Sequence, residues 1–138
     1  GCSIIFVNSK KQVLLFLRDD KPDIPYPDMW DVPGGHVEDD ETPKQCIVRE
    51  MNEEMGMELA GFQPFSVEEF EDRVEYAFWK KMDIDIDEIT LTEGQQLKWF
   101  TEEEVKNTRL AYGFNKMLRD FFYRKPFADE NSQEVYEN

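Results

Sequence analysis

Three glutamates, Glu50, Glu53 and Glu54, are spaced so that they could act together on one predicted helix. At about 100° per residue they fall at about 0°, 300° and 40°, so their carboxylates share one face. Like charges at this spacing repel, which costs roughly a few tenths of a kcal/mol per pair. Hard divalent cations such as Mg²⁺ take oxygen ligands, usually carboxylates together with water and substrate phosphates. The chemistry that this face predicts is therefore metal binding.

An isolated Glu-x-x-Glu-Glu run is more often a solvated helix face without any site. Val48, Met51 and Met55 form an apolar stripe beside the acidic face, so we expect them to anchor the helix to a core. The acidic face then points in a fixed direction, and the residues around it decide between the two interpretations.

The frame around the glutamates is specific. Trp30-Asp31-Val32-Pro33-Gly34 precedes Gly35, and Glu41, Arg49-Glu50, Glu53-Glu54 and Gly56 follow, with apolar Met51 and Met57. This pattern resembles the Nudix box, the signature of the Nudix hydrolases, at every fixed position. The order of predicted strands and helices extends the resemblance to nearly the whole chain.

The resemblance implies an α/β (α+β) fold, an α/β/α sandwich with a mixed β-sheet. It implies hydrolysis of a diphosphate linkage by water attack on phosphorus, with Mg²⁺ or Mn²⁺ as cofactor. By this resemblance Glu50, Glu53, Glu54 and the backbone carbonyl of Gly34 bind the metal, and Glu50 or Glu53 orients or deprotonates the water. From its place on the helix, Arg49 is expected to orient a neighbouring carboxylate through its fork of donors, with a surface ion pair as the alternative.

Three further residues are assigned outside the box. Glu93 lies in a segment similar to the loop on which MutT-like members carry another metal ligand, with an ordinary loop acid before the next strand as the alternative. Asn115 stands near the asparagine that such members use against a purine, although its spacing from Trp99 is one residue off. Arg18, which ends a predicted strand, is assigned to a substrate phosphate, with an ion pair to Asp19 or Asp20 as the alternative.

Three residues near the acidic face are left out of catalysis. His36 is the only histidine, and one histidine with two distant cysteines does not form a zinc site. Cys46 has no partner cluster and is interpreted as a small packing residue. Glu41 falls away from the acidic face, so we expect it to fix the loop to the helix.

Five strands are predicted from β-branched and apolar runs, the first two as a buried hairpin: residues 3–7, 12–18, 62–70, 74–82 and 97–100. The Asp- and Pro-rich residues 19–28 predict an irregular loop.

Three helices are predicted. Thr42 as N-cap with Gln45 three positions later starts the first, and Gly56 ends it. A second, short helix follows Thr101, and residues 112–123 form an amphipathic last helix. Residues 1–127 are therefore expected to form a single domain, and the acidic residues 128–138 a frayed tail.

Composition limits the partners. The 138 residues include 16 Lys+Arg and 31 Asp+Glu, a formal net charge of -15. Long nucleic acid is bound largely by neutralising phosphates with basic side chains, so it is not an expected partner. No apolar stretch approaches the roughly 20 residues of a membrane helix, so no membrane partner is expected. A small nucleotide is compatible, because bound cations invert the local field.

The two cysteines, Cys2 and Cys46, are far apart in sequence, which favours reduced thiols and a cytoplasmic location. The chain opens at Gly1 rather than Met, which leaves open whether residues precede it. Monomer and homodimer are both compatible with the sequence.

The function predicted is metal-dependent hydrolysis of a nucleoside triphosphate or another nucleoside diphosphate derivative. A nucleotide-sugar or ADP-ribose hydrolase is the alternative among enzymes. A Nudix fold that senses a nucleotide without cutting it is an alternative of another class, although the loss of a box carboxylate that would mark it is not seen. The acidic face as a docking surface for a basic protein ranks lower.

Overall fold

A mixed β-sheet forms the centre of the protein in the computed structural model, which describes residues 1–128. The predicted tail at residues 128–138 lies outside this part except for its first residue. Within residues 1–128 there are seven strands: β1 (Cys2–Val7), β2 (Val13–Leu17), β3 (Trp30–Asp31), β4 (Gly34–Gly35), β5 (Gln63–Glu69), β6 (Val74–Lys81) and β7 (Gln96–Phe100). The five predicted strands are present within two residues at each end, and the two-residue strands β3 and β4 were not predicted.

The strands follow the order β3-β2-β1-β6-β5, with β4 added beside β1 and β7 beside β2. The central pair β1 and β6 is parallel, and the other pairs are antiparallel. Every residue of β1 is buried. Since side chains alternate along a strand, β1 supplies apolar residues to both faces of the sheet.

Helices cover both faces of this sheet. Helix α1 (Pro43–Met55) packs on one face against Ile4 and Phe6 of β1. Helices α2 (Glu102–Lys106) and α3 (Asn115–Arg124) cover the other face, where Ile5 and Val7 contribute to the core. The expected α/β/α sandwich with a mixed sheet is confirmed.

Local signals define both ends of α1. The side chains of Thr42 and Gln45 form the reciprocal hydrogen bonds of a capping box, and Gly56 ends the helix in the left-handed conformation at φ 62°. These predictions are confirmed, whereas the predicted apolar stripe is partly wrong. Val48 is exposed, and the buried side chains are Cys46, Ile47, Met51 and Met55.

The last helix starts later than predicted. Residues 111–113 form a 3-10 turn in which Tyr112 and Gly113 both have positive φ, and α3 begins only at Asn115. The ring of Tyr112 lies 4.5 Å from that of Tyr26, in the loop between β2 and β3. This contact comes from a distant part of the chain, which explains why the helical pattern extended too far.

The prediction of reduced thiols is wrong for this structure. Cys2 of β1 and Cys46 of α1 are joined in a disulfide across 44 positions of sequence, and both residues are buried. The two cysteines meet because β1 lies under the first turns of α1. Their separation in the sequence gave no sign of this contact. Within residues 1–128, no helix is long and apolar enough to cross a bilayer.

Candidate active site

Arg49 organises the acidic face of α1. Its guanidinium donates to both carboxylate oxygens of Glu41, at 2.7 and 3.0 Å, and to the backbone carbonyl of His36 at 3.0 Å. Its Nη1 donates to Glu50 at 2.9 Å and to Glu53 at 3.2 Å. Arg49 therefore fixes the loop before α1 and orients two of the three glutamates, and Glu41 fixes the loop as expected.

Glu54 lies against Glu50 on this face and is partly buried. Burial, followed by the neighbouring Glu50 carboxylate and the charges of Glu93 and Asp31, raises the pKa of Glu54 to about 9. The Glu50 side chain is 14% exposed, whereas that of Glu53 is 58% exposed. Two carboxyl groups are thus held together away from solvent, an arrangement that favours a shared proton or a cation.

The double glycine leaves room for this arrangement. A Cβ added at Gly35 would lie 2.2 Å from the carboxyl carbon of Glu50. A Cβ at Gly34 would lie 2.0 Å from the carbonyl oxygen of Cys2. Only glycine at these positions allows β4 to pair with β1 while Glu50 packs directly on it.

The loop that carries Glu93 is attached to the end of α1. The side chain and backbone N–H of Thr92 donate to the carbonyls of Glu53 and Glu54, at 3.0 and 3.2 Å. Glu93 is close enough for its charge to raise the pKa of Glu54. Sequence reasoning proposed Glu93 but missed Thr92, because nothing in the sequence marks a contact across 39 residues.

A second polar group lies at the end of β2. Arg18 donates to Asp31 at 3.0 Å and to the carbonyl of Pro25, and its guanidinium carbon lies 5.4 Å from the centre of the Tyr112 ring. The sequence alternatives of Asp19 or Asp20 as its partner are replaced by Asp31. Burial raises the pKa of Asp31 to about 6 despite this ion pair.

Asn115 uses its side chain within the chain. Its amide oxygen accepts from the N–H of Leu110 at 2.9 Å, and its amide nitrogen donates to the carbonyl of Thr108 at 2.6 Å. These bonds close the turn between α2 and α3. The amide nitrogen also donates to the carbonyl of Val105 at 3.4 Å, so a hydrogen bond donated by Asn115 to a base would compete with the bonds that close this turn.

The donor atoms fit a hard cation, since they are carboxylate and carbonyl oxygens. Among residues 1–128, no three acidic, histidine or cysteine side chains converge closely enough to hold a metal ion. In this conformation Arg49 pairs with Glu50 and with the exposed Glu53. Glu50 and Glu54 lie together, Glu93 is close enough for its charge to raise the pKa of Glu54, and Glu53 lies on the exposed side of the helix.

The chain is similar in sequence to a known family and to named proteins. The family model described as NUDIX domain matches residues 1–121. A protein of Bacillus subtilis (strain 168) named "Putative 8-oxo-dGTP diphosphatase" is 38% identical over 60 residues, which are 44% of this chain and 36% of that protein. The chain spans about a third of the length of the curated relatives it matches.

Solved structures share the fold. One, from a study of MutT from Aliivibrio salmonicida and Vibrio cholerae, has a TM-score of 0.73 and 24% identity, covering 89% of this chain and 95% of that one. The NUDIX domain of Shewanella oneidensis NrtR, complexed with ADP ribose, has a TM-score of 0.70 and 17% identity, covering 90% and 85%. At these identities the likeness concerns the fold alone.

Proposed function

The chain belongs to the NUDIX family, and we propose that it hydrolyses the diphosphate linkage of a nucleoside triphosphate or another nucleoside diphosphate derivative by water attack on phosphorus. The observation that carries the proposal is the pair Glu50 and Glu54, held together beside the Arg49 network with Glu93 nearby. Mutual repulsion and burial make this arrangement unfavourable unless a proton or a cation occupies it.

The cation proposed is Mg²⁺, with Mn²⁺ as a possible substitute. Glu50, Glu53, Glu54, Glu93 and the carbonyl of Gly34 would hold it. When bound, it supplies neutralisation of phosphate charge and a more acidic water. To hold the cation, the Glu53 carboxylate and the Glu50 carboxylate oxygen that now accept from Arg49 would have to turn toward it.

The chain's own residues divide the remaining work. Glu53 is the most accessible of the three helix glutamates. Either Glu53 or Glu50 is proposed to accept a proton from the attacking water. Arg49 acts as a positioning residue, because its fork holds Glu50 at 2.9 Å and is itself fixed by Glu41. Its proposed contribution is the direction of the carboxylates.

Substrate contacts are proposed at the end of β2. Arg18 lies beside Asp31 and Tyr112, close to the loop of residues 19–28. We assign it to the substrate, with the Arg18 charge available to a phosphate or the Tyr112 ring to a base. Asn115 stays a candidate for base contact, although its side chain is already engaged in the turn before α3.

A nucleotide-sugar or ADP-ribose hydrolase is the second candidate, and the likeness to a NUDIX domain complexed with ADP ribose supports it. The names of the curated relatives, with 8-oxo-dGTP as their substrate, support the first. A sensing module that binds without cutting is the third candidate, although the helix keeps all three glutamates.

The partner proposed is a small nucleotide, in a monomer or homodimer, without long nucleic acid or a membrane. The net charge of -15 supports the exclusion of a nucleic-acid polymer. A cytoplasmic location stays a prediction, and the disulfide removes the reduced thiols from which it was argued.

Hydrolysis of a substrate panel tests the proposal. The panel contains canonical and oxidised nucleoside triphosphates, nucleotide sugars, ADP-ribose and dinucleoside polyphosphates, with Mg²⁺ or EDTA, for the wild type and Glu53→Gln. We expect metal-dependent cleavage that the variant loses, and the products identify the bond. Binding without cleavage of any compound would favour the sensing module.

A further inference from the structure

The segment from Thr92 to Gln95 joins two parts of the proposed site. At one end, the Thr92 hydroxyl and N–H donate to the carbonyls of Glu53 and Glu54. Carbonyls in the last turn of a helix have no partner within the helix. Thr92 therefore satisfies two of them at the residues that carry the proposed metal ligands.

The other end of the segment is attached to β2 and the loop after it. The amide nitrogen of the Gln95 side chain donates to the carbonyl of Arg18 at 2.8 Å and to Asp28 Oδ1 at 2.9 Å. The Gln95 N–H donates to the carbonyl of Leu17 at 2.8 Å. Gln95 thus links the segment to the backbone of a proposed substrate residue.

Glycine allows the segment to lie flat on β2. Gly94 has φ +90°, and a Cβ there would lie 2.9 Å from the Phe16 ring and 3.1 Å from the carbonyl oxygen of Leu17. Glu93 itself is exposed, so packing does not fix it. Its position depends on the hydrogen bonds made by its neighbours.

We infer, on the basis of the proposed function, that Thr92 and Gln95 are positioning residues: Thr92 holds Glu93 beside helix α1, and Gln95 holds the backbone of Arg18 and the loop of residues 19–28. Thr92 sets the distance from Glu93 to the metal ligands of α1. Gln95 sets the position of the same segment relative to Arg18 and Asp28. The two residues therefore affect different steps, metal binding for Thr92 and substrate binding for Gln95.

A titration with Mn²⁺ in the absence of nucleotide, monitored by electron paramagnetic resonance, tests the proposed role of Thr92 in metal binding. Loss of a group that orients a metal ligand typically weakens binding roughly 10-fold or more. We expect such a loss in Thr92→Val and in Glu93→Gln. Thr92→Ser keeps the hydroxyl and should bind nearly as the wild type does, and thermal melting checks that each variant is folded.

Steady-state kinetics, with the compound of the substrate panel that the wild type cleaves with the highest kcat/KM, tests the proposed role of Gln95 in substrate binding. Gln95→Met keeps the length of the side chain and removes its donors, so we expect KM to rise several-fold while Mn²⁺ affinity stays unchanged. Gln96→Met, at the next exposed position, is the matched control and should leave both constants unchanged.

The outcomes separate this inference from the proposed function. Normal Mn²⁺ affinity in Thr92→Val with weakened binding in Glu93→Gln would overturn the role of Thr92. An unchanged KM in Gln95→Met would overturn that of Gln95. If Glu93→Gln binds Mn²⁺ normally, the Thr92 half of the inference fails. The proposed function fails on other results, namely no cleavage of any compound in the panel, turnover in EDTA, or Glu53→Gln hydrolysing substrate as the wild type does.

Discussion

Arg49 and Glu41 form a two-point ion pair, with nitrogen–oxygen distances of 2.7 and 3.0 Å. The Glu41 side chain is only 11% exposed, so this pair is better shielded than most surface ion pairs. It fixes the guanidinium that in turn holds Glu50 and Glu53. The acidic helix is therefore oriented from the loop that precedes it.

Arg49→Lys tests this role. Lysine keeps the charge but cannot form two parallel hydrogen bonds to Glu41 while reaching Glu50. We expect kcat to fall roughly 10-fold or more. Arg119→Lys, an exposed position on α3, is the control and should leave kcat unchanged. Equal kcat values for the wild type and Arg49→Lys would show that charge alone is sufficient.

Gly35→Ala tests the close approach of Glu50 to β4. The added methyl group would occupy the place of the Glu50 carboxyl group and displace it. A misplacement of about 1 Å can reduce turnover about 100-fold, so we expect a loss of that order in kcat/KM.

Gly61→Ala is the matched control for that substitution. Gly61 has φ +66°, and its added Cβ would lie 3.9 Å from the Lys80 Nζ, its nearest neighbour. We expect this variant to lose stability, by about 1 kcal/mol or somewhat more, because of its backbone conformation. If Gly35→Ala is as active as Gly61→Ala, the close approach of Glu50 to Gly35 is not needed for catalysis.

Asp31 predicts a pH dependence of stability. Burial raises its pKa from 3.8 to about 6, so the folded protein binds this proton more tightly than the unfolded chain. Its contribution is complete below about pH 4 and is lost as the pH rises through about 6, by at most about 3 kcal/mol.

Asp31→Asn removes this titrating group, because the asparagine side chain does not ionise. Between pH 4 and 7, urea unfolding should show the variant becoming more stable relative to the wild type as the pH rises. The difference between the two curves isolates Asp31 from the other acids. Parallel curves over this range would mean that Asp31 ionises normally in the fold.

The disulfide predicts a dependence on reductant. A crosslink that closes a loop of this length stabilises a fold by about 4 kcal/mol in the chain-entropy description. Protein reduced after unfolding, or the double variant Cys2→Ala with Cys46→Ala, should melt well below the oxidised protein. Two alkylated cysteines in denatured, unreduced protein would contradict the bond.

Local signals explain what the sequence could predict. The Thr42 capping box and Gly56 lie within a few residues of the ends that they define, so the bounds of α1 are correct. The box spacing likewise located Glu50, Glu53 and Glu54. The Tyr112 turn and the disulfide depend on contacts between distant segments, which a helical or strand pattern does not record.

The supports of the candidate site were the hardest part to predict. Thr92 reaches the carbonyls of Glu53 and Glu54 from 39 and 38 residues away, and Gln95 reaches Arg18 from 77. Threonine and glutamine in a loop carry no distinctive pattern. Their roles follow only from hydrogen bonds seen in the fold.

Hydrolysis in water labelled with ¹⁸O tests the central claim most directly, with Mg²⁺ present and the wild type compared with Glu53→Gln. We expect the label in one phosphorus-containing product of the wild type, and no turnover in the variant or in EDTA. Equal turnover in the variant, or turnover in EDTA, would contradict the assignment of the α1 carboxylates as the metal-dependent hydrolytic site.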